Sequence, residues 1–473
     1  MRLFGITSLW LALLAGIGFR ATAQTQSITI DSLRLARSGG TYLPATGRAL
    51  LYTSQLQAGA TRLRHYVFTG PQAQPTQQTQ RLPGRYEMLS TSSSRHHVLY
   101  QLRRRGYDTL LTVVVDTLGR VVAQRREHRP GLLARSISEA TAPRTDGFLQ
   151  GDVLSKKTGL VRFLDPTLHE RWRHRFTSEK GHLLIDNAVA DESFAWLLIT
   201  TNARSRLAST TAYCFELATG RVTCRLPLDY QNERRIPGTA IIGPGHSLLL
   251  AGYAYPNARA SRARTGQLFV TQLHPDSTRS HDHTVAVSPE AGLLNAQGSK
   301  VLWQALLPEA DGGVRLVGET YTSTSAGGNF AINVLTGIAT LGLFRLDMTT
   351  LHPRDVLTLR LSPAGQLQNL RVLPLPEGGA LTLGGYWPSR LIATVAQQAG
   401  VFRLRGVAPD SQRIVLRTDK RLLTMNLQSG QATTVQPVPS DGHLDVWFVE
   451  PRQLLLYHTQ RSPQRISVER VAY

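Results

Sequence analysis

Sulfur is scarce in this chain: it has two cysteines, Cys214 and Cys224, and four methionines in 473 residues. So few thiols exclude a disulfide-dense scaffold and a cysteine-built zinc cluster, each of which needs more bridges or ligands. Lysine is nearly absent, with five residues, so 48 of the 53 basic side chains are arginine. Beyond residue 19 no apolar run is long enough to span a bilayer. Long helical periodicity is also missing, which argues against a helical core. No H-E-x-x-H, P-loop or dinucleotide fingerprint occurs, so neither a metal nor a cofactor is expected. Gly243-Pro244-Gly245-His246-Ser247 is not a nucleophile elbow, because Leu249 stands where the second glycine belongs.

The formal charge is +21. A net field of that sign attracts polyanions. The basic residues are scattered, however, as in Arg103-Arg104-Arg105, Arg125-Arg126 and Arg234-Arg235, and no polybasic arm is present. The interleaving of basic and exposed aromatic residues that a nucleic-acid groove uses is missing. The reading is a solvated arginine-rich surface, with nucleic acid set aside as a partner.

The first 23 residues have the order of a secretory signal peptide: Arg2, an apolar run from Leu3 to Phe19, then Arg20 and Ala21-Thr22-Ala23. Cleavage before Gln24 would leave residues 24–473, exported to the periplasm or the exterior with no remaining transmembrane span and read as a monomer.

A strand phrase recurs at a spacing of 66 residues: Gly-His-Ser-Leu-Leu-Leu-Ala-Gly at 245–252, Asp-Gly-Gly-Val-Arg-Leu-Val-Gly at 311–318 and Glu-Gly-Gly-Ala-Leu-Thr-Leu-Gly at 377–384. A fixed period means one supersecondary unit used repeatedly. The unit is clearest at 300–361, where Val301–Leu307 and Val314–Tyr321 read as strands one and two, Leu341–Asp347 as strand three and Asp355–Leu361 as strand four. An apolar strand, short polar turn and second strand also recur at 113–122, 161–176, 213–226 and 422–438. Pro71 to Gln78 is a Gln/Pro-rich surface loop. Repeated four-stranded sheets protect their edges by radial closure. The fold class is therefore all-β: a single β-propeller domain over 24–473, with blades of four antiparallel strands. Dividing its length by about 66 gives seven blades, and units of other lengths allow six to eight.

Cys214 and Cys224 flank a hairpin that turns at Ala218-Thr219-Gly220, and if Leu217 faces Arg221 the two cysteines face each other. In an oxidising compartment that placement suits a disulfide. His281-Asp282-His283 puts two imidazoles on one face of a strand, but no third ligand is identifiable and an exposed outer strand is the reading.

The export signal, Leu316-Val317-Gly318-Glu319-Thr320-Tyr321, the variable loop behind it and Leu343-Phe344-Arg345-Leu346-Asp347 resemble uncharacterised secreted propeller-like proteins of Bacteroidetes. The resemblance covers most of the mature chain and implies the fold; it brings no activity and no catalytic residue. A propeller further implies binding at the channel mouth and on the face bearing the loops between second and third strands.

Differences between copies mark where ligand contacts belong: Tyr253, Glu319 and Gly385 follow the closing glycines, and Tyr255, Tyr321 and Trp387 stand at equal spacing beyond them, with Tyr386 adjacent. Aromatic rims bind sugars or peptides through ring faces and polar edges, though inter-blade packing uses the same residues. The leading expectation is an exported non-enzymatic propeller that binds or scaffolds a glycan, peptide or envelope partner through one loop-rich face. The alternatives are a carbohydrate hydrolase or lyase with carboxylates at the channel mouth, and a polyanion-binding envelope protein.

Overall fold

The computed structural model describes residues 24–29, 35–69, 74–104, 106, 108–128, 137–140, 145–203, 208–229, 233–256, 267–285, 300–324, 348–375, 379–384, 393, 396–397, 400–408, 412–418, 420–438, 443–450, 453–460 and 465–472. Strand β1 (Gln24–Thr29) precedes blade 1, which is β2 (Leu35–Leu43), β3 (Arg48–Gln57), β4 (Ala60–Phe68) and β5 (Thr76–Pro83). Blade 2 is β6 (Tyr86–Ser93), β7 (His97–Arg104), β8 (Thr109–Asp116) and β9 (Val121–His128). Blade 3 is β10 (Ile137–Ala140), β11 (Phe148–Ser155), β12 (Thr158–Leu164) and β13 (Glu170–Thr177). Blade 4 is β14 (His182–Ala190), β15 (Phe194–Ala203), β16 (Ser209–Glu216) and β17 (Val222–Pro227). Blade 5 is β18 (Glu233–Ile242), β19 (Leu248–Pro256), β20 (Gln267–Leu273) and β21 (Arg279–Val285). Blade 6 is β22 (Lys300–Pro308), β23 (Val314–Thr324), β24 (Met348–Leu361) and β25 (Leu367–Leu373), with β26 (Leu381–Gly384) added against β24. Blade 7 is β27 (Leu404–Val407), β28 (Arg413–Arg417), β29 (Arg421–Asn426) and β30 (Ala432–Pro437). Blade 8 is β31 (His443–Glu450), β32 (Gln453–Gln460) and β33 (Arg465–Ala472), and β1 returns from the other end of the chain to complete it.

The fold is therefore an eight-bladed propeller. Second and third strands carry nearly unbroken apolar runs because a blade packs against each of their faces; β8 is buried from Leu110 through Val115. Consecutive residues of one strand then serve different interfaces. Leu50 and Tyr52 of β3 join blade 2, while Ala49 and Leu51 join blade 8. Leu316 of β23 joins blade 5, and Val317 joins blade 7. An apolar cluster fills every junction around the ring, including the one between blades 8 and 1, where Leu51 and Tyr66 meet Tyr457 and Ile466.

Two structural repeats underlie the ring. The turns between third and fourth strands of blades 2 to 7 each hold one residue with φ between 66° and 76°: Gly119, Leu168, Gly220, Ser277, Gly365 and Gly430. Several begin with a side chain that accepts main-chain N–H groups of the turn, as Asp116, Asp165 and Asn426 do. The outer strand of the preceding blade often docks on this turn. Trp172 Nε1 donates to Leu217 O at 2.7 Å, and Arg125 Nη1 donates to Leu168 O at 3.3 Å. The second repeat is a bulge on the innermost strand. In blades 2, 4, 5 and 6 it falls at the same step of the ladder and adds Leu89, Asp186, Gly238 and Gln304 respectively.

That bulge explains the glycine closing the strand phrase. A Cβ on Gly252 would lie 2.2 Å from Ile236 O, and one on Gly318 would lie 2.6 Å from Leu302 O. Each glycine lets the bulged inner strand approach its neighbour.

The blade count sits at the top of the range allowed by length, because the 66-residue unit is not general. First strands of blades 5 and 6 begin at Glu233 and Lys300, but those of blades 2 and 3 begin at Tyr86 and Ile137. The third copy of the phrase is β26, which widens blade 6 instead of opening another. Asp355–Leu361, expected as a fourth strand, is the second half of β24, the third; β25 takes the fourth place. The Leu341–Asp347 expectation lies outside the described residues. Thr76 to Gln78, expected in a loop, begin the exposed strand β5. Among the described residues no helix is long and apolar enough to cross a membrane.

Gly318→Ala is expected to destabilise the protein by about 1–3 kcal/mol, the range for overpacking. Equilibrium denaturant melts measure it, and an unchanged midpoint would contradict the close-approach explanation.

Candidate functional site

In each meander the first and third turns lie at one end of the blade, and the second turn and the link to the next blade lie at the other. The long connections 257–266, 286–299, 325–347 and 374–403 accordingly all leave from one end. At that end β23 and β24 run past the rest of blade 6, pairing from Tyr321↔Pro353 to Thr324↔Thr350, and β26 lies beside the projection. An apolar cap of Tyr321, Leu351, Ala393, Ala396 and Phe402 covers it.

Glu319 sits at the base of this projection and is fully buried. Its Oε2 accepts Arg403 N at 2.9 Å, and its Oε1 accepts Leu404 N at 2.6 Å and Gln304 Nε2 at 3.2 Å. The carboxylate thus fastens blade 6 to the first residues of blade 7. Burial pushes its pKa up, against the opposing pull of those amides and the Arg403 charge. The adjacent bulge is filled by Thr320, whose hydroxyl accepts Asp355 N at 3.0 Å.

Arginines gather beside that carboxylate. Arg403 is buried and donates from Nη1 to Arg354 O at 3.3 Å. Arg417 N donates to Arg403 O at 2.8 Å, bringing β28 against the entry to β27. Arg405 is the extra residue in a bulge of innermost strand β27, and its Nη2 donates to Gly400 O at 2.6 Å. Burial, with Arg417 next, pushes the Arg405 guanidinium down to about 10; Glu319 and Asp445 of β31 counter it. Strand β27 starts where the connection from blade 6 enters, so this group lies at the channel mouth on the long-connection end. Arg405, Arg417 and Asp445 were not singled out by sequence. The available signal was Arg403-Leu404-Arg405, an arginine pair straddling an apolar residue at the start of a short strand.

The aromatic candidates have separate surroundings. Tyr253 packs into the junction of blades 5 and 6, and its hydroxyl donates to Val301 O at 3.1 Å; burial raises its pKa. Tyr255 is half-buried nearby. Tyr321 is buried in the apolar cap, edge-on to Phe402 at 5.9 Å. Tyr386 and Trp387 lie outside the described residues.

Cys214 and Cys224 are register partners, both buried and both free thiols in the structure. Glu216, not Leu217, closes the hairpin with Arg221, and a bulge at Thr223 restores the cysteine pairing. Burial pushes the Cys214 thiol up to about 12. His281 Nδ1 and His283 Nε2 both donate to Pro363 O, at 3.2 and 3.0 Å, so they clamp blade 5 to a turn of blade 6. Asp282 between them pairs with Arg235 and Arg279. Among the described residues no group of three or more His, Cys, Asp or Glu is arranged to hold a metal ion.

No protein-family model and no curated protein sequence matches this chain. Solved structures similar to it include the Dos1 propeller, at 9% identity and TM-score 0.45, covering 95% of this chain and 94% of that one. The WD40 domain of SCAP from fission yeast matches at 9% identity and TM-score 0.41, covering 95% and 98%. Prolyl oligopeptidase B from Galerina marginata matches at 9% identity and TM-score 0.43, over 90% of this chain and 56% of that enzyme, so this chain spans about half the enzyme's length.

Replacing Glu319 by Gln is expected to cost about 1–3 kcal/mol, because the amide nitrogen would face a main-chain N–H. The raised carboxyl pKa makes the wild-type contribution full below the unfolded value near 4.5 and lost as pH rises through the folded value. Melts of both proteins from pH 4.5 upward should therefore show the gap narrowing; a gap that widens with pH contradicts the assignment.

Proposed function

We propose that the protein is exported and acts without catalysis, binding or scaffolding a glycan, peptide or envelope partner through the long-connection end of the ring. The observation that carries this reading is the convergence there of the long connections, the projecting strands of blade 6 and the charged mouth beside blade 7. The hydrolase or lyase alternative needs a carboxyl group open to substrate. Glu319 does not provide one, since both its oxygens accept hydrogen bonds inside the blade 6–7 junction.

Export is supported by the signal-like N-terminus, with Arg2, the apolar run from Leu3 to Phe19 and Ala21-Thr22-Ala23. In an oxidising compartment the facing thiols of Cys214 and Cys224 would close to a disulfide. Non-reducing peptide mapping of the protein from fractionated cells should find it outside the cytoplasm, with Gln24 first and a 214–224 cross-link. Protein retained in the cytoplasm and beginning at Met1 would contradict export, and two free thiols in exported protein would contradict the bridge.

The binding end is tested by hydrogen exchange on the purified protein against a defined panel of glycans and peptides. Protection is expected in 257–266, 325–347 and 385–399. Protection confined to the short turns at 116–120, 216–221 and 426–431 would place binding at the opposite end.

A further inference from the structure

Charge is spread unevenly around the ring. From Ser32 to Tyr86, a stretch that contains all of blade 1, the sequence holds seven arginines and no aspartate or glutamate. In other blades arginines meet carboxylates, as Arg103 meets Glu87 at 3.1 Å, Arg162 meets Glu127 at 3.1 Å and Arg360 meets Asp311 at 2.6 Å. Within blade 1, Arg48 donates to Thr117 Oγ1 of the next blade at 3.2 Å. Arg62, Arg64 and Arg81 make no hydrogen bond or ion pair among the described residues.

The fold gathers these three. Arg62 of β4 and Arg81 of β5 are register partners, and Arg64, two residues along β4, shares their face. Like charges directly opposite one another in a sheet are destabilising, so the pair favours an anion between them. A cavity of about 200 Å³ lies there, lined by Arg62, Arg81, Gln57, Ala58 and Ala60. A single water needs only about 10–15 Å³ of such space, so the cavity has room for a larger polar group. Arg81 is exposed and Arg62 half-buried, which leaves the cavity open to solvent. Its base is fixed: Thr61 Oγ1 donates to Gly84 O at 2.9 Å and accepts Tyr86 N at 2.7 Å, pinning the link between blades 1 and 2 against β4.

We propose that the groove between Arg62 and Arg81 receives a phosphate monoester. Two facing guanidinium groups present two positive charges with no carboxylate of their own. A carboxylate or a sulfate ester brings one negative charge, whereas a phosphate monoester brings about 1.5 to 2 near pH 7 and three acceptor oxygens. Each guanidinium fork can hold two of those oxygens, and the Gln57 amide adds a further donor at the rim. The groove lies on a blade that carries no long connection, and the inference does not rest on binding by those connections.

Calorimetric titration of the purified protein at physiological ionic strength tests this with glucose 6-phosphate, glucose 6-sulfate, glucuronate and glucose, which differ in the group at one carbon. The phosphate should bind at least about tenfold tighter than the other three. Its affinity should fall several-fold between about pH 7.5 and pH 5.5, where the ester loses its second charge and the guanidinium groups keep theirs. Arg62→Gln and Arg81→Gln should each weaken the phosphate by at least about tenfold while keeping or raising the unfolding midpoint, since each removes one of two facing like charges. Arg175→Gln, which removes an exposed arginine of β13, should bind as wild type and so separates a site from attraction by the net charge. Sedimentation with phosphatidylcholine vesicles, with and without phosphatidate, distinguishes a lipid headgroup from a soluble sugar phosphate as the source. Hydrogen exchange with the bound phosphate should show protection at 57–64 and 79–86. The proposal is overturned if neither phosphate source binds, if the sulfate or glucuronate binds as tightly, if either groove variant binds as wild type, or if Arg175→Gln weakens binding equally. Protection confined to 257–266, 325–347 or 385–399 would overturn this site and leave the long-connection reading standing.

Discussion

The structure depends on one pairing, that of β1 with β33, from Gln24↔Arg470 to Thr29↔Arg465. Each blade is a stack of strands with both faces apolar, and no blade can cover its own faces. Neighbours do this only if the series closes on itself. Seven blades are built from consecutive strands; the eighth needs a strand from the far end of the chain. With that strand in place the ring is tied by backbone hydrogen bonds as well as by the cluster of Leu51, Tyr66, Tyr457 and Ile466 at the final junction.

Closure also shapes what the ring can do. Inner strands carry bulges at a repeated step, and Gly252 and Gly318 admit them. The bulge of β27 places Arg405 beside the mouth, so the device that fits strands around a narrow axis also sets out a charged side chain. Short turns face one end, where outer strands dock on the next blade's turn. The other end is free to carry the long connections and the extension of blade 6.

Much of the fold was legible because strand periodicity is local. The hairpins at 113–122, 161–176, 213–226 and 422–438 are third and fourth strands of blades 2, 3, 4 and 7, as their turns implied. The glycine-bounded phrase was legible as strand but not as position: Leu381–Gly384 has the composition of β19 and β23 yet pairs with β24, and pairing partners are a tertiary fact. Glu319 stood out because its sibling positions are not acidic, but its partners lie 84 and 85 residues away in sequence, so its role as a main-chain acceptor could not be read. Arg405 was lost among 53 basic residues, since nothing local separates a solvated arginine from one beside a channel mouth.

The central claim is that β1 closes the ring, and thermal unfolding of residues 24–473 against residues 30–473, run alongside size-exclusion chromatography, tests it most directly. Deletion should lower the midpoint by several degrees and yield higher-order species, because the edge of β33 is left open to other chains. An unchanged midpoint with an unchanged monomer peak would show that the ring holds without β1 and would contradict the account.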